Sequence, residues 1–427
     1  MTTKRNHNQN ISTMKNCKAI ALATLAFAAA NVTAQKFEGL ALTPTMGWNS
    51  WNTFGCDISE KVVKETADLF VKLGLKDAGY EYIVIDDGWM KMERDPETYL
   101  LVPDPDKFPN GIKAVSDYVH SKGLKIGIYN CAGVLTCGGY PGTRGFEYID
   151  AKQYAQWEID FLKYDWCSTG AGNGGFSYQQ SPEASYTLMR DAIYKAGRPM
   201  VFNICEWGDN NPWLWGKDIG HSWRISGDIA PCWDCELSYG GWSSWGVWPI
   251  IRMRQGIRQY SGPDHWNDFD MLEVGNGMSA AEDRTHFAMW CMLASPIILG
   301  NDIRSMSKET LELVTNKELI AIDQDSLGIQ AFRFINEKGY EVWVKPLDNG
   351  EWAVAFCNVT ENTINIDYDW TRHIMKDALF NREEDFSKAK FTLRDATNKK
   401  DAGTTEKNFQ REIASHDIVV LRLTPKK

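Results

Sequence analysis

From about residue 40 to residue 328 the chain repeats one unit. A short apolar run is followed by a polar loop and then by an amphipathic segment. The candidate strands are 46–51 (MGWNSW), 80–86 (YEYIVID), 124–129 (LKIGIY), 161–165 (FLKYD), 200–205 (MVFNIC), 222–227 (SWRISG), 265–271 (HWNDFDM) and 296–301 (PIILGN). Helical periodicity lies between them. In SEKVVKETADLFVKLGL the apolar residues Val62, Val63, Leu69, Phe70 and Leu73 fall on one face, and Ser59 is placed to cap it. In NGIKAVSDYVHSKG, Gly123 marks the stop. Eight such units predict an α/β fold, a (β/α)₈ barrel, over residues 37–328.

After Gly328 the texture changes. YEVWVKPL, EWAVAFCN, TINIDY, KFTLRDA and DIVVLRLTP are short β-runs between polar turns. They predict a C-terminal antiparallel β-sandwich over residues 329–427, packed closely on the barrel because no low-complexity linker intervenes.

In a barrel of this kind, chemistry belongs at the C-terminal ends of the strands. Here those ends are charged. Strand one offers Trp48 and Trp51, and strand two ends in Asp86-Asp87. Strand three ends in Tyr129, and strand four places Lys163 and Asp165 on one face. Strand five leads to Glu206-Trp207, strand six to Arg224 and Asp228, and strand seven to Asp268 and Asp270. Burying such a cluster is costly unless its members pair or work together.

The residue types narrow the chemistry. Of the strand ends only one carries a histidine, His265, and Lys163 and Arg224 would compete with a metal cation. No G-x-S-x-G, Walker A or H-E-x-x-H motif occurs. Paired carboxylates among hydroxyl-binding and aromatic groups suit glycoside hydrolysis, in which one carboxylate attacks C1 or activates water and the other protonates the leaving oxygen. The 18 Trp residues fit the same reading, since sugar rings present apolar C–H faces to aromatic surfaces. No cofactor or metal is implied.

MGWNSWNTFGC, YEYIVIDDGWM, HSKGLKIGIYNCAG, FLKYDWC, CEWGDNNPWLWG, SWRISGDI, WNDFDMLEVGNG and AIDQDSLG, in this order, resemble the segments of family 27 glycoside hydrolases, the α-galactosidase and α-N-acetylgalactosaminidase relatives. The resemblance implies a retaining double displacement with Asp165 as nucleophile and Asp228 as acid/base, their carboxyls about 5–5.5 Å apart. It implies that Asp86 and Asp87 bind the 4- and 6-hydroxyls of galactose. Lys163 and Arg224 would serve O2 to O4, and Trp51, Tyr129 and Asp270 would wall the pocket. Cys137 and Cys167 would form a disulfide that pins the loop after strand three.

The physics sets two conditions. Asp165 must stay ionised to attack, and Lys163 and Arg224 are expected to favour that form. Asp228 must hold a proton near neutral pH.

Relatives that accept N-acetylgalactosamine carry small residues where this chain has Glu206-Trp207, so bulk there is expected to exclude an acetamido group and favour plain galactose. Relatives that cleave β-L-arabinopyranosides differ chiefly at the aspartate pair, which is intact here. The resemblance thus implies an α-galactosidase acting on terminal α-linked galactose in oligosaccharides or polysaccharides. An α-N-acetylgalactosaminidase, a β-L-arabinopyranosidase or a non-catalytic sugar-binding protein are the alternatives.

The family often has a Cys directly after the aspartate pair, bonded to the residue matching Cys56. Here that position is Gly88, so this disulfide is expected to be absent. APCWDCELSYGGWSSWGVW (230–248), just after Asp228, is rich in Trp and is expected to shape the leaving-group side, with Trp233 or Trp242 as a stacking platform. Its Cys232-x-x-Cys235 reads as a local disulfide or as two reduced thiols, since zinc would need further Cys or His ligands.

Residues 1–34 read as an export signal. Lys4, Arg5, Lys15 and Lys18 precede the apolar run 19–30, and Val32-Thr33-Ala34 is a small-residue cleavage site. Met14 is an alternative start. The apolar run is too short to span a bilayer. Removing the four leader cations takes the net charge from −10 to −14, which disfavours nucleic acid as a partner. No other segment is long enough for a membrane helix, so no membrane partner is expected, and an exported chain, periplasmic or extracellular, can keep disulfides. Loss of Cys17 leaves nine cysteines from 10, so at least one thiol is left over within a single chain.

Overall fold

The computed structural model describes residues 1–2, 35–337 and 339–426. Residues 3–34, where the predicted export signal and Cys17 fall, lie outside the described residues. The first six strands are β1 (Met46–Asn49), β2 (Tyr82–Ile85), β3 (Lys125–Cys131), β4 (Phe161–Asp165), β5 (Val201–Cys205) and β6 (Ser222–Arg224). A hairpin follows, β7 (Glu236–Ser238) and β8 (Ser243–Trp245), and then β9 (Trp266–Asp268) and β10 (Ile297–Leu299). All except the hairpin join one parallel sheet in the order β10-β1-β2-β3-β4-β5-β6-β9. A parallel bridge from Leu272 to Leu299 curls the two ends together, with Leu272 N–H donating to the Ile298 carbonyl at 2.7 Å. This is the predicted (β/α)₈ barrel.

Several predicted strands end earlier than expected, two of them for clear local reasons. The run 46–51 stops at Asn49 because Trp51–Phe54 turns into helix. The run 265–271 stops at Asp268 because Asp270 adopts φ 81°, which no strand residue can share. The predicted helices form at Glu60–Lys72, capped by Ser59 Oγ accepting from Val62 N–H, and at Gly111–Ser121.

Strand alternation builds the barrel interior in layers. Tyr82, Val84, Phe161 and Val201 form an apolar floor. One step further along β4 the inward residue is Lys163, and one step beyond that it is Asp165. Leu162 and Tyr164 point the other way and join the core shared with the helices.

The C-terminal part is built on a six-stranded antiparallel sheet, completed by the pairing of Ile364–Tyr368 with Phe409–Ile413. Alternation along Trp352–Asn358 explains how it docks. Trp352, Val354 and Phe356 fill the sandwich core, while the small Ala353, Ala355 and Cys357 face the barrel, where Cys357 Sγ meets Met289 Sδ at 3.7 Å. The Arg284–Asp417 ion pair at 2.6 Å adds a polar clasp.

Candidate active site

The strand ends open into a recess. Trp51, Asp86, Tyr129, Cys137, Lys163, Asp165, Trp207, Asp228 and Asp270 line it, with Asn52 and Met271. Nine of the residues predicted from sequence therefore meet in one cavity.

Asp165 sits at its floor. Its Oδ2 accepts the Tyr129 hydroxyl at 3.0 Å, and its Oδ1 accepts the Trp166 backbone N–H at 2.8 Å. Burial pushes its carboxyl up to about 7, against the pull of Lys163 and with a further push from Asp228. Lys163 favours the ionised form, as expected, and Arg224 is not among the groups that act on it, but burial outweighs the lysine. Both cations are engaged elsewhere, and the desolvation of a fully enclosed carboxylate outweighs what Lys163 offers.

Lys163 Nζ donates to Asp86 Oδ2 at 2.8 Å, and the same oxygen accepts from Asn49 Nδ2 at 2.7 Å. Burial alone would depress this ammonium, yet Asp86 and Asp165 hold it above the ordinary lysine value. Arg224 Nη2 lies 2.6 Å from Asp270 Oδ2 and donates to Asp228 Oδ1 at 3.1 Å. Its pKa is also raised, with Asp270 the leading favourable partner against burial. Burial likewise lifts the Asp270 carboxyl to about 6, opposed by Arg224.

Asp270 does more than wall the pocket. Its Oδ2 also accepts the Ile229 backbone N–H at 2.8 Å, so it holds the segment that carries Asp228. It sits at a positive φ, and its carbonyl accepts from Trp290 Nε1 at 2.8 Å. The Asp228 side chain is the open member of the group, 40% exposed at the mouth.

Three predicted substrate-binding residues stand outside this recess. Asp87 turns its carboxylate to the backbone N–H groups of Gly138 and Gly88, at 2.7 and 2.8 Å, and so holds the loop after β3. Glu206 is fully buried, with Oε2 accepting from the backbone N–H and Nδ2 of Asn210, and its pKa is pushed up by burial to about 7. It shapes the loop, and the wall facing the cavity at this point is Trp207. Arg224 lines a second recess on the barrel axis together with Asn49, Asn203, Asp268 and Lys163. Asn49, Asn52 and Asn203 escaped the sequence reading, which looked for ionisable groups. Their inward register on β1 and β5 was the signal that could have found Asn49 and Asn203.

Cys137 and Cys167 form the disulfide, beside Asp165. The two loops touch at Gly133, where a Cβ would lie 1.9 Å from the Cys167 carbonyl oxygen, so only glycine permits the contact. Cys232 and Cys235 form the second disulfide. Cys56 is unpaired, as are Cys131, Cys205, Cys291 and Cys357 among the described residues. A Cβ built on Gly88 would fall 2.7 Å from Cys56 Cβ, which is where the family's missing partner would stand. Trp233 is not a platform. It is buried, stacked between Trp248 at 5.1 Å and His416 at 4.7 Å.

The family model described as Alpha galactosidase A matches residues 43–325, and that of the Alpha galactosidase C-terminal beta sandwich domain matches residues 337–423. The chain belongs to the α-galactosidase family.

This family member is therefore a glycosidase of the family 27 type. It is 53% identical to Alpha-galactosidase A of Cellvibrio japonicus over 92% of this chain and 95% of that protein. It is 41% identical to Alpha-galactosidase 3 of Arabidopsis thaliana over 91% and 83%. Among solved structures, alpha-galactosidase I from Mortierella vinacea superposes with a TM-score of 0.82 at 35% identity, covering 90% of this chain and 98% of that one. The Saccharomyces cerevisiae α-galactosidase with raffinose gives 0.78 at 31%, covering 91% and 99%. A Geobacillus stearothermophilus β-L-arabinopyranosidase gives 0.72 at 24%, over 90% and 97%, and shares the fold.

Proposed function

We propose that the chain is an exported, retaining α-galactosidase that removes terminal α-linked D-galactose from oligosaccharides or polysaccharides. The observation that carries this reading is the meeting of Asp165 and Asp228 in one recess, beside Asp86, Lys163, Trp51 and Tyr129. The raffinose bound by the yeast relative is a galactoside of this class.

In the first step Asp165 attacks C1 as the C1–O bond to the leaving group breaks, and Asp228 gives its proton to the departing oxygen. In the second, Asp228 takes a proton from water, the water oxygen bonds to C1, and the C1–Oδ bond to Asp165 breaks. The Tyr129 hydroxyl and Trp166 N–H donate to the Asp165 carboxylate and orient it. Arg224 and Asp270 hold Asp228 at the mouth, where water and leaving groups pass.

Export rests on the leader pattern of residues 1–34, and the two disulfides suit an oxidising compartment. Among the described residues no helix is long and apolar enough to cross a membrane.

The test is a panel of aryl glycosides: α-galactoside, α-N-acetylgalactosaminide and β-L-arabinopyranoside. The α-galactoside is expected to turn over fastest, with α-galactose as the first-formed product by proton NMR. First-formed β-galactose would refute retention. Full activity of Asp165→Asn would place the nucleophile elsewhere.

A further inference from the structure

The hairpin β7–β8 takes no part in the galactose recess, yet it is built onto the segment that carries Asp228. Trp245 N–H donates to the Asp228 carbonyl at 2.8 Å, and Ala230 N–H donates to the Trp245 carbonyl at 2.8 Å. The base of the hairpin is fixed. The Cys232–Cys235 disulfide closes it, Gly246 N–H donates to the Cys235 carbonyl at 2.8 Å, and Trp233 is buried against Trp248 and His416.

The tip is different. Gly240-Gly241 makes the turn, with Gly240 at φ 85° as a tight hairpin turn requires. Tyr239 N–H donates to the Trp242 carbonyl at 2.9 Å. The two rings stack at 4.4 Å and 23°, yet they stand 55% and 56% exposed. The pair is thus pre-stacked and open to solvent on a fixed base.

We propose that Tyr239 and Trp242 form a stacking platform for the main chain of a polysaccharide that carries galactose side groups. This deepens the α-galactosidase reading and rests on it. Asp228, as acid/base, faces the leaving group. Trp242 lies three strand residues, about 10 Å, from Trp245, whose N–H is bonded to the Asp228 carbonyl. A leaving group longer than one sugar reaches that distance. Rigid Tyr and Trp rings supply contact area at low entropic cost. A second copy of the chain is disfavoured by size. The exposed parts of two such rings amount to roughly 200 Å², against about 800 Å² per partner in a stable interface.

The test compares kcat/KM on galactomannan with kcat/KM on a nitrophenyl α-galactoside. In Tyr239→Ala/Trp242→Ala the polymer-to-aryl ratio is expected to fall about tenfold, and Tyr239→Phe/Trp242→Phe is expected to restore it. In a second arm, Asp165→Asn is run through a gel containing galactomannan. It is expected to be retarded, and Asp165→Asn/Trp242→Ala is expected to run free. An unchanged ratio with unchanged retardation overturns the platform. So does an unchanged ratio accompanied by loss of a dimer in sedimentation, which would assign the surface to a second copy. Failure of the α-galactosidase reading is read separately, as no turnover of the aryl galactoside by the wild type.

Discussion

Tyr129 and Asp165 meet at the floor of the recess, the tyrosine hydroxyl donating to carboxylate Oδ2 at 3.0 Å with both groups buried. The two lie on neighbouring strands, where Tyr129 pairs in register with Lys163, two residues before Asp165. This bond favours the ionised carboxylate. Tyr129→Phe is expected to lower kcat/KM roughly tenfold, the worth of one hydrogen bond to a charged group. It is also expected to move the acid limb of the pH profile to higher pH. A rate loss with an unmoved limb would limit Tyr129 to a packing role.

Burial sets the pH dependence of the free enzyme. A nucleophilic carboxylate must be ionised, and Asp165 is pushed up to about 7. Its charged fraction therefore falls as pH drops below 7, and kcat/KM is expected to fall with it, tenfold per pH unit. An acid limb near pH 4 would show that the carboxylate is not held up. The same shift has a sign for stability. The folded state keeps a proton that the unfolded chain releases near 3.8, so this group's contribution declines as pH rises between about 4 and 7. Asp165→Asn is expected to raise the thermal midpoint at pH 8 more than at pH 5.

Arg224 serves two carboxylates at once, Asp270 at 2.6 Å and Asp228 at 3.1 Å. Arg224→Met leaves Asp270 buried with no cation in contact, which costs about 3–5 kcal/mol. Calorimetry is expected to show a lowered midpoint and kinetics a kcat loss of at least a hundredfold. Retained stability with lost activity would confine Arg224 to the chemistry.

The Cys137–Cys167 bond closes a loop with a sequence separation of 30 beside Asp165. Cys137→Ser/Cys167→Ser is expected to lose about 3–4 kcal/mol of stability by the loop-entropy account. KM for the aryl galactoside is expected to rise as the cavity wall loosens. Unchanged denaturation midpoints would mean that Gly133 and the surrounding hydrogen bonds already secure the loop.

By itself the sequence determined the barrel, the C-terminal β-domain and most of the site. Strand alternation places Lys163 and Asp165 on one inward face, and that follows from the period of two alone. The same logic reached Asp86, Tyr129 and Asp270 at neighbouring strand ends. Only the tertiary structure decided what each charge pairs with. Lys163 turns to Asp86 and Arg224 to Asp270, so burial is left to govern Asp165. Only the tertiary structure separated Trp233, packed under His416 of the C-terminal part, from Trp242, exposed on the hairpin tip. Glu206 and Trp207 are adjacent in the chain, yet one is buried on Asn210 and the other faces the cavity. Periodicity says which way a strand residue points. Desolvation and pairing depend on neighbours tens of residues away or more, as Asp86 is 77 residues from Lys163, and no local pattern encodes them.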